Sequence, residues 1–136
     1  MSIKTFSVLF LSFIFLSACA TFNAGKDVQS GRLALLTGNG ETALNYFQRA
    51  EQQDPNYYYG TALKSGLLSY IGRSEYTAGR YPQARDTLEK ALGANKDDNT
   101  ARLYLGLSLA RSGDRQRGLS EIEKITNSLH AALDLA

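Results

Sequence analysis

The stretch from Ile71 to Ile125, IGRSEYTAGRYPQARDTLEKALGANKDDNTARLYLGLSLARSGDRQRGLSEIEKI, repeats itself at an interval of 34 residues. Glycines recur where two helices must approach closely or where the chain must turn, at Gly72 and Gly106 and at Gly79 and Gly113. A period of this length is typical of a solenoid of helix–turn–helix units. The repeated positions pair Ile71, Gly72, Gly79, Ala84, Leu88 and Ala91 with Leu105, Gly106, Gly113, Gly118, Ile122 and Ile125.

This pattern resembles the tetratricopeptide repeat (TPR). Gly72 and Gly106 match the small residue of the first helix in that repeat, and Gly79 and Gly113 match the glycine of its turn. Ile125 departs from the pattern, because it stands where the repeat has a late alanine. The resemblance implies an all-α fold, a short right-handed α-solenoid of three TPR-like helix–turn–helix pairs.

The first repeat lies 41 rather than 34 residues before the second, so the chain carries seven extra residues between Pro55 and Gly72. Seven residues are about two helical turns, and such an insertion leaves the buried face of a helix nearly unchanged. We therefore predict a lengthened third helix from about Asn56 to Ala78, with Asn56 as its cap. The alternative is a loop around Tyr57 to Gly60.

The other helices are predicted at about 24–37, 40–53, 81–94, 99–111 and 115–135. The three repeats then cover about 24–57, 65–98 and 99–132. Together they form a helical domain over residues 24–135. Asn39, Asp98 or Asn99, and Asp114 are suited to cap the helices that follow them. The long C-terminal helix carries an apolar stripe that no later helix covers. Its members are Leu119, Ile122, Ile125 or Thr126, Leu129 and Leu133.

The N-terminus has the features of a signal peptide over residues 1–18, with Lys4 followed by an apolar run of about eleven residues, too short to span a membrane. The run ends in Leu16-Ser17-Ala18-Cys19, which resembles the lipobox of bacterial lipoproteins. That resemblance implies a lipidated Cys19 and a tether at 19–23. It also implies a place on the outer membrane facing the periplasm, because Ala20 follows the cysteine where an inner-membrane retention signal has aspartate. The alternative is an ordinary secretory signal.

Composition argues against catalysis and against nucleic-acid binding. The 136-residue chain has a net charge of +2, one cysteine and one histidine. Such a small charge, without a run of like charges, does not favour nucleic acid as a partner. His130 has no cysteine or second histidine to form a metal site, and no lysine follows Gly38-Asn39-Gly40 as a phosphate loop requires. We expect neither an enzyme nor a cofactor or metal site.

The resemblance to TPR proteins implies that a protein or peptide partner binds in a concave groove lined by the first helix of each pair. Three arginines there would favour an acidic segment; the alternative is that each is solvated or bonds to its own helix. The lysine and asparagine clamp of chaperone-binding relatives is absent. The groove positions that the resemblance implies are, repeat by repeat, Val28, Arg32, Leu35 and Leu36, then Ser69, Arg73, Tyr76 and Thr77, then Leu103, Leu107, Ala110 and Arg111. Among these positions, the candidate partner residues are Arg32, Leu36, Arg73, Tyr76, Leu107 and Arg111.

Two further surfaces are candidate interfaces. Tyr57 and Tyr58 are candidates because tyrosine is enriched at interaction hot spots, although partial burial is an equal alternative. Leu129 and Leu133 belong to the uncovered C-terminal stripe. The sequence thus predicts a membrane-anchored periplasmic adaptor or scaffold, of the kind that serves envelope, pilus or secretion assembly. The alternative is a structural or self-associating envelope lipoprotein that uses the stripe as a homodimer surface.

Overall fold

The computed structural model describes residues 23–59 and 65–134. Cys19, the predicted signal peptide and most of the predicted tether lie outside the described residues. The described residues form three antiparallel helix pairs in sequence order, with a two-stranded ladder between the first pair and the second. The helices are α1 over residues 23–36, α2 (Gly40–Gln53), α3 (Leu67–Thr77), α4 (Tyr81–Ala94), α5 (Asn99–Arg111) and α6 (Arg115–Asp134).

The turn inside each helix pair depends on a glycine with a positive φ. Gly38, Gly79 and Gly113 have φ angles of 72°, 79° and 98°, a conformation that costs other residues strain. Each pair is therefore closed by the same local geometry, as the repeated glycines predict.

Three of the four predicted cap positions are confirmed by hydrogen bonds to the helix that follows. Asn39 accepts from the amide of Thr42 at 3.1 Å, Asp98 from Ala101 at 3.0 Å, and Asp114 from Arg117 at 3.2 Å. These bonds satisfy amides that lack a partner at the start of a helix.

Small residues let the helices of a pair approach closely. A Cβ at Gly72 would lie 2.5 Å from Cγ of Leu88, and one at Gly106, the equivalent position, would lie 2.8 Å from Cγ1 of Ile122. The α3–α4 and α5–α6 pairs thus use the same repeated position for their contact.

The core has two parts. One is formed by α1, α2 and α3, where the ring of Phe47 stacks on that of Tyr70 with centroids 4.9 Å apart. The other is centred on α4 and α5, around Leu88, Leu105 and Leu109.

The predicted lengthening of the third helix is wrong. Tyr58–Tyr59 forms strand β1 and pairs antiparallel with Ser65–Gly66, strand β2, and α3 begins only at Leu67. Asn56 therefore caps no helix, and the residue before α3 is Gly66, with extended backbone and no capping side chain. Tyrosine favours strands and glycine weakens helices, so the local preferences of this segment outweigh its apolar spacing.

The predicted length of the last helix is confirmed, because α6 has 20 residues where α2 and α4 have 14 each. Its first half is bound to α5 through Glu121, which accepts from Arg102 at 3.0 Å and from Lys124 at 2.6 Å. Burial alone would raise the pKa of Glu121, but these two cations outweigh the burial and hold the pKa below its ordinary value.

Candidate functional site

A cluster of three tyrosines and two arginines joins the second repeat to the third. The ring of Tyr76, at the end of α3, lies 5.5 Å from that of Tyr81 in α4 and 5.5 Å from that of Tyr104 in α5. Such edge and tilted contacts are each worth about 0.5–1.5 kcal/mol beyond burial. We call Arg73, Tyr76, Tyr81, Tyr104 and Arg111 the tyrosine–arginine cluster.

Both arginines of the cluster are held by tyrosines. The guanidinium carbon of Arg73 lies 5.3 Å from the centre of the Tyr104 ring, within range of a cation–π interaction. Arg111 is exposed, and a hydrogen bond to Tyr76 raises the pKa of its guanidinium group, with a smaller contribution from Tyr81. Among the ion pairs of the described residues, none joins a carboxylate to either arginine. The cluster therefore presents two positive charges oriented by neutral groups.

A hollow of about 420 Å³ adjoins the cluster between α5 and α6. Arg73 and Tyr104 are part of its lining, and Leu103, Ile122 and Ile125 contribute apolar surface. The hollow thus combines one cation and one aromatic ring with aliphatic side chains, which suits a segment bearing both acidic and apolar residues.

The structure separates the predicted groove positions into exposed and buried ones. Leu36 and Thr77 are exposed and Leu107 is half-buried, so these remain accessible. Val28 and Leu35 are buried in the first core cluster instead, and Ser69 is buried against Asp98. The prediction that these three face a partner is therefore wrong, because they close the core between repeats.

Arg32 lies apart from the cluster in sequence and bonds within α1. Its Nη1 donates to Oε1 of Gln29, one turn earlier, at 3.3 Å. This is the bond that the alternative interpretation of the groove arginines expects. Arg32 thus has a local role in addition to any role in binding.

Of the two tyrosines predicted as interface residues, only Tyr58 is exposed. Tyr57 packs against the first core cluster, and a Cβ at Gly25 would lie 3.3 Å from its hydroxyl oxygen. Tyr57 is thus partly buried, as the alternative interpretation of these tyrosines expects. Leu129 and Leu133, in the last turns of α6, are exposed.

Tyr81 and Tyr104 were not among the predicted site residues. The sequence indicates them only weakly. Tyr104 lies 34 residues after Tyr70, and Tyr81 is the first residue of the helix that follows the turn after Tyr76. Only the packing of α5 against α3 and α4 brings the three rings together. The contact between repeats, not the repeat itself, forms the cluster.

Within residues 23–59 and 65–134 no group of three or more His, Cys, Asp or Glu side chains is placed to hold a metal ion. In the same part of the chain, no helix has both the length and the apolar character needed to cross a bilayer.

Comparison with known proteins agrees with the helical architecture. Residues 71–124 match the tetratricopeptide repeat family. A comparison with curated protein sequences finds no match.

Solved structures with the same fold share little sequence with this chain. MamA of MSR-1 superposes with a TM-score of 0.65 at 14% identity, covering 81% of this chain and 59% of MamA. The TPR domain of Arabidopsis OM64 has a TM-score of 0.58 at 13% identity, covering 83% of this chain and 98% of that domain. The TPR2AB domain of yeast Sti1, in its pHSP90 complex, has a TM-score of 0.54 at 17% identity, covering 80% of this chain and 48% of that one.

The chain spans less than two thirds of MamA, and at these identities the likeness concerns the fold. Three glycine turns, repeated close contacts and the family match over residues 71–124 all agree with it. The described chain has the fold of a short TPR-type α-solenoid.

Proposed function

We propose that this protein is a lipid-anchored adaptor of the bacterial envelope, which binds an acidic segment of a partner protein at the tyrosine–arginine cluster. The observation that carries the proposal is the orientation of Arg73 and Arg111 by tyrosines. A cation held over an aromatic ring keeps its full charge and most of its hydrogen-bond donors. The two arginines are thus positioned for a carboxylate before it arrives.

A carboxylate would add stronger contacts to those that already orient the two arginines. A cation–π contact at an exposed site contributes about 0.5–1 kcal/mol, whereas a hydrogen bond to a charged partner contributes about 1.5–3 kcal/mol. Since guanidinium groups bind carboxylates through two parallel bonds, Arg73 and Arg111 also restrict the orientation of the segment.

The apolar part of the hollow supports a segment with aliphatic or aromatic residues beside its acidic ones. Leu103, Ile122 and Ile125 form part of its lining together with Arg73. Burial of apolar surface there contributes about 25 cal/mol for each Å². Specificity then depends on the spacing between an acidic and an apolar residue of the partner.

Peptide recognition by this fold supports the proposal, because the TPR2AB domain of Sti1 is found in a pHSP90 complex. The lysine and asparagine clamp of chaperone-binding relatives is absent from this chain, so we propose an internal acidic segment rather than a terminal carboxylate. The envelope process served by such an adaptor, whether pilus, secretion or outer-membrane assembly, depends on the partner.

The proposed anchor is a lipid on Cys19, the only cysteine of the chain, which ends the Leu16-Ser17-Ala18-Cys19 motif. Two or three acyl chains give stable membrane attachment where one gives only marginal binding. Ala20, in place of aspartate, favours the outer membrane.

Fractionation of cells tests the anchor. The protein should be found in the membrane fraction, and Cys19→Ala should release it while Ser17→Ala, a small-residue control within the same motif, should not. If the Cys19→Ala protein stays with the membranes, the lipid assignment is wrong. Photo-crosslinking from Thr77 in the groove tests the partner site.

A further inference from the structure

We propose that copies of this chain associate head to tail, with α1 of one copy packed on α6 of the next as an additional repeat. The surfaces involved are the two ends of the solenoid. This inference goes beyond the proposed partner site and does not rest on it. The proposed contact between copies follows the geometry of the contacts between successive repeats inside one chain.

Inside the chain, the first residue of each second helix meets the last turn of the next first helix. A Cβ at Gly40, which begins α2, would lie 2.8 Å from the carbonyl carbon of Thr77 in α3. Tyr81, which begins α4, also contributes to the raised pKa of Arg111 in the last turn of α5, after the larger contribution of Tyr76. Continuation of the array would therefore place Arg115, at the start of α6, against Leu36 of a second copy.

The α6 end has an exposed apolar residue whose equivalent in α2 is buried, whereas the equivalent in α4 is the half-exposed Arg85. Leu44 of α2 is covered by α3 and is 3% exposed. Leu119, at the equivalent position of α6, is 62% exposed because no helix follows within the described residues. Ile122 occupies the position of Phe47, whose ring stacks on Tyr70 of the next repeat. The exposed face of α6 thus resembles one half of a contact between repeats, and no helix among the described residues supplies the other half.

The α1 end is complementary to this surface. Leu33 and Leu36 are 64% and 79% exposed. The residues equivalent to Leu33 in the later repeats are Ser74 and Ser108, and both are fully buried. The face of α1 that would meet a preceding helix is therefore more apolar than the same face in α3 and α5, where it is covered.

A second copy fits these observations better than an unrelated occupant. The surface of α6 resembles the one that α2 uses to receive a first helix, and α1 is a first helix with no other helix before it among the described residues. Because the two ends differ, the contact is heterologous, and it leaves one free end of each kind. It predicts an open series of copies rather than a closed dimer.

Complementation of two variants tests this geometry with the full chain in detergent. Sedimentation should show that the mass of the native protein increases with concentration beyond two copies. Leu33→Asp and Leu119→Asp should each sediment as single copies, because each blocks one end. An equal mixture should reach two copies and no more, since one intact α1 meets one intact α6. Circular dichroism checks that both exposed-site variants are folded.

Three outcomes would overturn the proposal. They are a native protein that stays a single copy at every concentration, a mixture that stays at one copy, and an association lost in Leu133→Asp but retained in Leu33→Asp. The last outcome would indicate a symmetric dimer through the end of α6. Coverage of α6 by the segment that precedes α1 in its own chain would appear as the first outcome.

Disulfide cross-linking provides a second readout. Differently tagged copies carrying Leu36→Cys and Arg115→Cys are mixed and oxidised, and mass spectrometry identifies the joined peptides. A disulfide between residues 36 and 115 of different copies is expected. A disulfide joining two copies of residue 115, or no product beyond that of the parent with Cys19 alone, would contradict head-to-tail packing.

Discussion

The hydroxyl of Ser69 donates a 2.6 Å hydrogen bond to the buried carboxylate of Asp98, and this bond joins α3 to the start of α5. The other oxygen of the same carboxylate accepts from the amide of Ala101 at 3.0 Å. One side chain therefore caps a helix and fixes the position of the neighbouring repeat. The geometry of the tyrosine–arginine cluster depends on this contact, because Tyr76 and Tyr104 lie on the same two helices.

Replacing Asp98 should destabilise the whole domain. Asp98→Ala removes a helix cap, which costs about 0.5–2 kcal/mol, and leaves the Ser69 hydroxyl without its acceptor, which costs about 1–3 kcal/mol. Urea unfolding should show a loss of about 2 kcal/mol or more. The adjacent exposed residue provides the control, and Asp97→Ala should change stability by less than about 0.5 kcal/mol. Equal effects of the two variants would refute a special role for Asp98.

Close packing of α5 on α6 predicts opposite effects for two glycine replacements. In Gly118→Ala the new Cβ would lie 2.6 Å from the carbonyl oxygen of Gly106, so the helices must separate, at a cost of about 1–3 kcal/mol. In Gly93→Ala no atom lies within 4 Å of the new Cβ. Because alanine favours a helix over glycine, this control should gain up to about 0.5 kcal/mol. Thermal unfolding measures both, and a neutral Gly118→Ala would contradict the close approach.

Glu75 gives the fold a predictable pH dependence. Its Oε2 is buried without a hydrogen-bond partner among the described residues, and burial raises the pKa of this carboxyl above 4.5 despite a hydrogen bond from Thr87. Because the folded-state pKa is raised, the favourable contribution is present at low pH and is lost as the pH rises through the folded pKa.

The matched variant is Glu75→Gln, which keeps the shape of the protonated acid. It should unfold at a higher temperature than the native protein at neutral pH, and the difference should shrink as the pH falls through the raised pKa toward 4.5. Glu123→Gln, an exposed control on α6, should show neither effect. A Glu75→Gln protein that is less stable at neutral pH would mean that the charge of Glu75 is needed.

The sequence predicted the regular parts of this fold well, because each helix end carries its own local signal. The predicted bounds of α2 and α5 agree with the observed Gly40–Gln53 and Asn99–Arg111. Glycine turns with a positive φ and side-chain caps act within a few residues, so they can be recognised without knowledge of the packing.

The segment between the first two repeats could not be predicted in this way. Its apolar spacing agrees with a helix, whereas Tyr58 and Gly66 form part of a short ladder. Val28 and Leu35 are buried although their repeat positions suggested a groove, because residues of α1, α2 and α3 form one core cluster that includes both. The tyrosine–arginine cluster was also only partly predictable, because residues from three helices form it.

The most direct test of the partner site is photo-crosslinking in cells from Thr77, an exposed groove residue beside the cluster, compared with Lys90, an exposed residue of α4. Thr77 should capture a defined partner that Lys90 does not, and capture should be lost when Arg73→Glu and Arg111→Glu are combined. Lys90→Glu, a matched charge reversal away from the cluster, should leave capture from Thr77 unchanged. Capture that survives the double reversal, or that occurs from Lys90 and not from Thr77, would contradict binding of an acidic segment at the tyrosine–arginine cluster.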